Sequence, residues 1–284
     1  MRRVPRWVLL AAIAAMALVV SACGVKAEPT GTAATYPTQA IDAAGETVSV
    51  TAEPVRIVSL DVGASAILRD LGLGDLLVEA TAKTVGPAAA DPTTGLVVVP
   101  LSFDAAALEQ LRGATSAPIF RYGAVPLDRA PTIVTQLGIA VGRGPEAGVV
   151  AKAMTSGLDA LAQRLASEAP VRTLIEGAGF TGYGPASPAG LAVAAAGGEN
   201  VLAADQPLDI AALPGLDLAA WVSLEPGGST LASLQSFPEL ATVPAITESR
   251  VLTMPRDGFP IDAALPGALQ DLADDLRAPP VTTE

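Results

Sequence analysis

"RIVSLDVGASAILRDLGLGDLLVEAT", residues 56–81, decides how the rest of the chain is read. Its first apolar run, Ile57-Val58-Ser59-Leu60, is short, β-branched at its start and apolar on both faces. That pattern suits a parallel strand covered by helices. The run stops at Asp61. Ala64 to Leu71 places Ile67, Leu68 and Leu71 on one helical face, and Gly72 stands where it would end the helix. Leu76 to Glu79 is a second strand, so the stretch reads as a β-α-β unit.

Working outward, "ETVSVTAEP" (Glu46–Pro54) is a short strand or hairpin arm that ends at Pro54. Downstream come a strand at Leu96–Pro100, a helix at Phe103–Leu111 with Ser102 as N-cap, and a strand at Pro118–Phe120. A helix starts at Pro131 and is closed by Gly138. Alternating strands and helices predict a parallel α/β sheet. Residues 144–167 differ: Val150, Met154, Leu158, Leu161 and Leu165 recur at helical spacing, with Pro145 in the first turn. That is one amphipathic helix of ~23 residues, ~34 Å long. Such a rod either crosses one sheet or joins two domains.

A second β-α-β run follows. Val171–Ile175 is a strand, Glu176–Gly190 a Gly- and Pro-rich loop, and "LAVAAAGGEN" a helix ending at Gly197-Gly198. Ala219–Leu224 and Arg250–Met254 are strands, and "ALPGALQDLADDLRA" is the terminal helix. The expected class is α/β, with two Rossmann-like lobes carrying parallel sheets, joined by one long central helix. The boundaries are a first lobe at 46–143, the helix at 144–168 and a second lobe at 169–284.

Composition narrows the function. The chain has 284 residues, half of them hydrophobic, with 29 acidic residues against 17 basic and a net charge of −12. Phosphate contacts need clustered Lys and Arg, so a nucleic-acid partner is not expected. There is no histidine, which removes Ser-His-Asp and Cys-His catalysis and His-ligated zinc or haem. The sole cysteine, Cys23, permits no intramolecular disulfide. No Gly-x-Ser-x-Gly elbow or phosphate loop is present, so an enzyme is not expected.

The first residues read as a targeting device. Arg2, Arg3 and Arg6 form a positive region, Val8–Val20 is apolar, and Ser21-Ala22 precede Cys23. The apolar run falls short of the ~20 residues a bilayer crossing needs, which makes it a secretory signal over residues 1–22. "VSAC" resembles the lipobox of bacterial lipoproteins, which implies cleavage before Cys23 and lipidation there; the alternative is an ordinary signal peptide with a stray cysteine. Cleavage would remove three Arg and leave a net charge of −15, so acyl chains, not anionic lipid heads, would anchor the chain to the extracytoplasmic membrane face. Residues 23–45 read as a flexible tether.

The layout and its motifs together resemble the substrate-binding lipoproteins of ABC importers for iron-siderophores, haem and cobalamin. The resemblance rests on "AEPVRIVSL", "ASAILRD", "LGLGD", "AAGGENV" (195–201) and "LATVPAITESRVLTMP", and it spans nearly the whole mature chain. It implies two α/β lobes bridged by a rigid helix, a chelate held between them, a monomer, and delivery to a permease. Asp209 lies near the second lobe's permease-docking acid. The family's extra helix between the second and third strands has no counterpart in residues 82–100, where Thr94-Gly95 replaces its Pro-Asp, and lobe-one docking goes with it. The alternative is a lipoprotein that kept the scaffold, lost ligand capture and serves as an accessory or protein-interaction subunit; the short first lobe and 4% aromatics favour it.

Residues just past the strands are the ligand candidates, because the carboxyl edge of an open α/β sheet faces the crevice. In the first lobe these are Asp61, Lys83, Leu101, Arg121 and Tyr122; in the second, Phe180, Tyr183, Glu225, Arg256 and Asp257. Asp61 is either a crevice carboxylate or an N-cap. Arg121-Tyr122 suits a carboxylate or an iron-chelating oxygen ligand, and the aromatics of "FTGYG" could stack on a flat one. Tyr122 and Tyr183 could equally be packing residues, and Arg256-Asp257 a surface ion pair. With no His, haem iron could be held only by Tyr or Met.

Overall fold

The computed structural model describes residues 35–123 and 125–279. The predicted signal segment and Cys23 lie outside them. An antiparallel hairpin comes first, β1 (Thr38–Ile41) with β2 (Thr47–Val50). Then follow β3 (Ile57–Ser59), α1 (Val62–Asp70), β4 (Leu77–Glu79), α2 (Val85–Ala89), β5 (Leu96–Pro100), α3 (Ala105–Ala114), β6 (Ile119–Tyr122) and α4 (Ala130–Ala140). The long α5 (Gly144–Leu165) leads to β7 (Val171–Gly177), β8 (Thr181–Gly182), α6 (Pro188–Ala195), β9 (Gly198–Asn200) and β10 (Gln206–Pro207). The chain ends with β11 (Ala220–Glu225), α7 (Leu231–Gln235), α8 (Pro244–Thr247), β12 (Val251–Pro255) and α9 (Leu265–Arg277).

The two sheets are separate. The first runs β4-β3-β5-β6, all parallel. Its middle strands are covered on both faces: Ile57, Val58 and Leu96 to Val99 are fully buried, each large aliphatic contributing about 1.5–3 kcal/mol of hydrophobic stabilisation. The second sheet departs from the all-parallel expectation. β9, β11 and β12 align with β7 in parallel, but the short β8–β10 edge runs antiparallel. That edge arises because the Gly-rich segment after β7 turns straight back on it, with Gly179 at φ +68° and Phe180 at φ +53°.

The central rod forms as read. Its 22 residues bury Ala147, Ala151, Met154 and Leu161, and span roughly 33 Å. One core cluster runs along it and takes in side chains from both lobes, among them Ile67, Leu137, Ile175 and Leu269. Two smaller clusters fill the outer faces, one per lobe.

Several local readings change. Thr38–Ile41, assigned to the tether, is a strand whose hairpin packs on α4. Asp42 in its turn is buried, accepting from the Ala44 and Glu46 amides, both at 2.9 Å. Gly138 does not end a helix: α4 continues to Ala140, and the bare Gly138 backbone lets α5 approach at Ala147. The N-cap of α3 is Asp104, whose Oδ1 accepts from the Ala107 amide at 2.8 Å, not Ser102. Glu199 and Asn200 belong to β9 rather than a helix end, and a one-and-a-half-turn helix, α2, stands between β4 and β5.

Candidate functional site

Three parallel strands end beside one another: β3 at Ser59, β5 at Pro100 and β6 at Tyr122. Just past them, Leu60 to Gly63, Ser102 and Gly123 line a cavity of about 250 Å³. The opposite wall is the loop from Asp257 to Ile261, which follows β12 of the second lobe. The site therefore sits where the carboxyl edge of the first sheet meets the second lobe, the position at which open α/β sheets bind ligands.

Asp61 caps a helix and also lines the cavity. Its Oδ1 accepts from the Ala64 amide at 2.8 Å and caps α1, while Ser59 and Ser65 hydroxyls lock the turn beneath it. Its Oδ2 faces Gly123, where a Cβ would stand 3.0 Å from it. Gly123 sits at φ +74°, a conformation that favours glycine, and a Cβ at this corner would press on that oxygen. Burial pushes the Asp61 carboxyl above its usual range, and the charge of Asp262 adds to the rise; the amides of Ala64 and Gly63 oppose it.

Tyr122 is fully buried and stands in the wall of the cavity. Its hydroxyl donates to the Ile261 carbonyl at 2.7 Å, which ties the first sheet to the second lobe. Burial, then the Asp61 and Asp262 charges, hold this phenol well above its ordinary value, so it stays protonated and remains a donor. Backbone approaches backbone at the same seam: a Cβ on Gly63 would meet the Ile261 nitrogen and oxygen at 2.9 Å.

Of the sequence candidates, Asp61, Tyr122 and Asp257 meet at this cavity. The others do not. Strand alternation turns Arg121 to the face opposite Tyr122, where Nε lies 3.2 Å from Asp42 Oδ2 and NH2 3.0 Å from Glu46 Oε1. It clamps the β1–β2 hairpin to the sheet. Lys83 is exposed in the turn before α2, and Leu101 packs against the core. Phe180 stacks edge-on against Phe237, centroids 5.2 Å apart, in the outer cluster of the second lobe. Tyr183 packs on Gly177, whose Cβ would come within 2.7 Å of its ring. Arg256 and Glu225 are exposed, the latter beside a shallow depression at the end of β11. Asp209 caps a 3-10 turn, accepting from Ala211 at 3.1 Å.

Sequence reasoning missed Phe259, Pro260, Ile261 and Asp262. Burial, with the charge of Asp70 adding, raises the Asp262 carboxyl. Gly258, at φ +76°, was the available signal: a glycine just past the last strand marks a turn that brings the following residues back. Among the described residues, no group of three or more His, Cys, Asp or Glu gathers to hold a metal ion, and no helix is long and apolar enough to cross a membrane.

No protein-family model and no curated protein matches the chain. Solved structures do. The periplasmic heme-binding protein RhuT from Roseiflexus sp. RS-1, in apo form, superposes with a TM-score of 0.64 at 21% identity, over 78% of this chain and 97% of its own. Helicobacter pylori CeuE, solved as a complex with Ni-His, gives 0.67 at 13%, over 84% and 87%. The Haemophilus influenzae molybdate-binding protein MolA, bound to molybdate, gives 0.65 at 15%, over 84% and 91%. The chain has the two-lobe fold of these periplasmic binding proteins.

Proposed function

We propose that the protein is an extracytoplasmic solute-binding protein that captures a small chelate between its lobes and hands it to the permease of an ABC importer. The observation that carries this reading is the cavity itself. It lies at the carboxyl ends of β3, β5 and β6, walled by a loop of the other lobe, on a fold whose solved examples include binders of heme and molybdate. The signal segment and Cys23 support export and attachment by acyl chains, with Asp209 on the face offered to the permease. In this reading the chain binds its solute and releases it.

A thermal-shift series over iron, nickel and cobalt chelates tests the reading. A true ligand raises Tm in proportion to ln(1 + [L]/Kd), about 2.7 kcal/mol at one hundred times Kd. A Cys23→Ala variant released from membranes into the medium confirms the anchor. If no solute stabilises the folded chain, the accessory-subunit reading, with a scaffold kept and capture lost, replaces this one.

A further inference from the structure

We infer that the cleft selects a compact solute of net positive charge, either an ammonium compound or a cationic metal chelate, and rejects anionic chelates. The inference rests on the solute-binding reading above and adds the charge class of the ligand.

The charged residues lining the cavity are Asp61 and Asp257, and no Lys or Arg lines it. Asp262 lies close enough behind Ile261 to act on both Asp61 and Tyr122. Two of the cations nearest in sequence are committed elsewhere. Arg121 is held by Asp42 and Glu46 on the far face of β6, and Arg69 at the end of α1 pairs with Glu79. Arg256 is exposed and outside the wall. Neither Asp61 nor Asp257 enters an ion pair among the described residues. Asp61 Oδ2 lies at the bare Gly123 corner, and no hydrogen bond to it is found among the described residues. An anionic solute here would meet two carboxylates with no compensating cation, a like-charge juxtaposition that costs heavily in a sheltered site.

A second observation points the same way. Phe259, only partly buried, is among the lining residues, and aromatic side chains attract cations. Size adds a limit: about 250 Å³ falls below the roughly 300–1,000 Å³ of pockets for drug-sized ligands. Haem, a large macrocycle with two carboxylates, fits neither the charge nor the volume.

Titration calorimetry on the mature chain tests this with four probes: choline, tris(ethylenediamine)cobalt(III), ferric citrate and haemin. The expected result is heat from one of the two cations and none from the two anions, the responding cation telling ammonium from chelate. Asp257 is exposed, so its variants should fold. Asp257→Asn should weaken the cation about fivefold, as removal of one solvent-exposed charge contact does, and Asp257→Lys should abolish it. Binding of ferric citrate or haemin to the native chain, unchanged or tightened by Asp257→Lys, overturns the charge assignment and leaves solute binding intact. Silence from all four probes, in native and Asp257→Lys chains alike, overturns both.

Discussion

Asp61 and Glu176 hold corresponding places, each an acid at the carboxyl end of the first strand of its lobe, and the protein uses them in opposite ways. Asp61 spends one oxygen on capping α1 and leaves the other toward the cavity. Glu176 is buried, and both its oxygens are taken by Ser229, through the backbone amide at 2.8 Å and the hydroxyl at 3.2 Å. Burial raises the Glu176 carboxyl; those two bonds pull the other way, and the indole N–H of Trp221 adds a weaker pull without reaching hydrogen-bond geometry. So the first lobe opens its strand ends to the cavity, while the second seals its own with the 225–230 turn. The second lobe enters the site instead through the 257–262 loop. The halves share a fold and divide the work unequally.

The seam between Gly63 and Ile261 is where that division can be broken most severely. Gly63→Val forces a branched side chain into backbone that a Cβ would already meet at 2.9 Å. We expect a loss of about 3 kcal/mol, as overpacking a rigid site gives, or roughly 6–12 °C in Tm at 2–4 °C per kcal/mol. Gly148→Ala on α5, where a Cβ meets nothing within 4 Å, should instead gain up to ~1 kcal/mol. Calorimetric melting of both decides it; equal Tm values would mean that the loop does not rest on α1.

Glu176→Ala comes next. It leaves the Ser229 amide without its acceptor in a buried place, a cost of about 2 kcal/mol. Glu176→Gln keeps an acceptor for the amide and can donate to the hydroxyl, so it should recover nearly all of that loss. Chemical unfolding of both variants reads the difference. If Gln were as damaging as Ala, the carboxylate's charge, not its bonds, would be holding the turn, and the contrast with Asp61 would vanish.

Much of the architecture was readable because it depends on local pattern. Ile57-Val58-Ser59 had to be buried on both faces, and Val150 to Leu165 had to lie on one side of a helix. The larger errors share a cause: each was decided by a partner outside the local pattern. Asp42 looked like tether until Arg121, 79 residues away, appeared as its partner. Gly138 reads as a helix stop unless Ala147 is seen crossing it. Arg121 and Tyr122 read as one ligand pair just past a strand; the strand extends through both, and alternation parts them. The first-lobe wall was legible as strand ends, whereas Phe259 to Asp262 join it only through folding of the whole chain.

Tyr122→Phe sharpens the view of the seam. The ring still fills its place, and the substitution removes only the donor to Ile261, leaving a buried carbonyl unpaired. About 1.5 kcal/mol should be lost, within the range for an orphaned buried acceptor. Hydrogen exchange should rise at the 257–262 loop while the amides of β3 and β5 keep their protection. Uniform acceleration across both lobes would show that the hydroxyl supports the core at large and is no specific tie between them.

The smallest effect carries the sharpest sign. The folded pKa of Asp61 lies above its unfolded value, near 3.9, so the folded chain binds this proton more tightly. The protonated carboxyl therefore favours folding below the unfolded pKa, and that advantage is lost as pH rises through the folded value. At neutral pH the charge is carried at a cost, because burial and Asp262 oppose it. Asn caps a helix as well as Asp does and carries no charge. Asp61→Asn should thus melt slightly above the native chain at pH 7, with the gap closing as pH falls through the folded value and gone below about 4. Asp262→Asn, which removes the neighbouring charge, should narrow the gap at pH 7 without touching the cap. Were Asp61→Asn to lower Tm equally at pH 3 and pH 7, capping would account for all that Asp61 does. The contrast with Glu176 would then lie in which helix or turn each acid ties, with no charge held ready at the cleft.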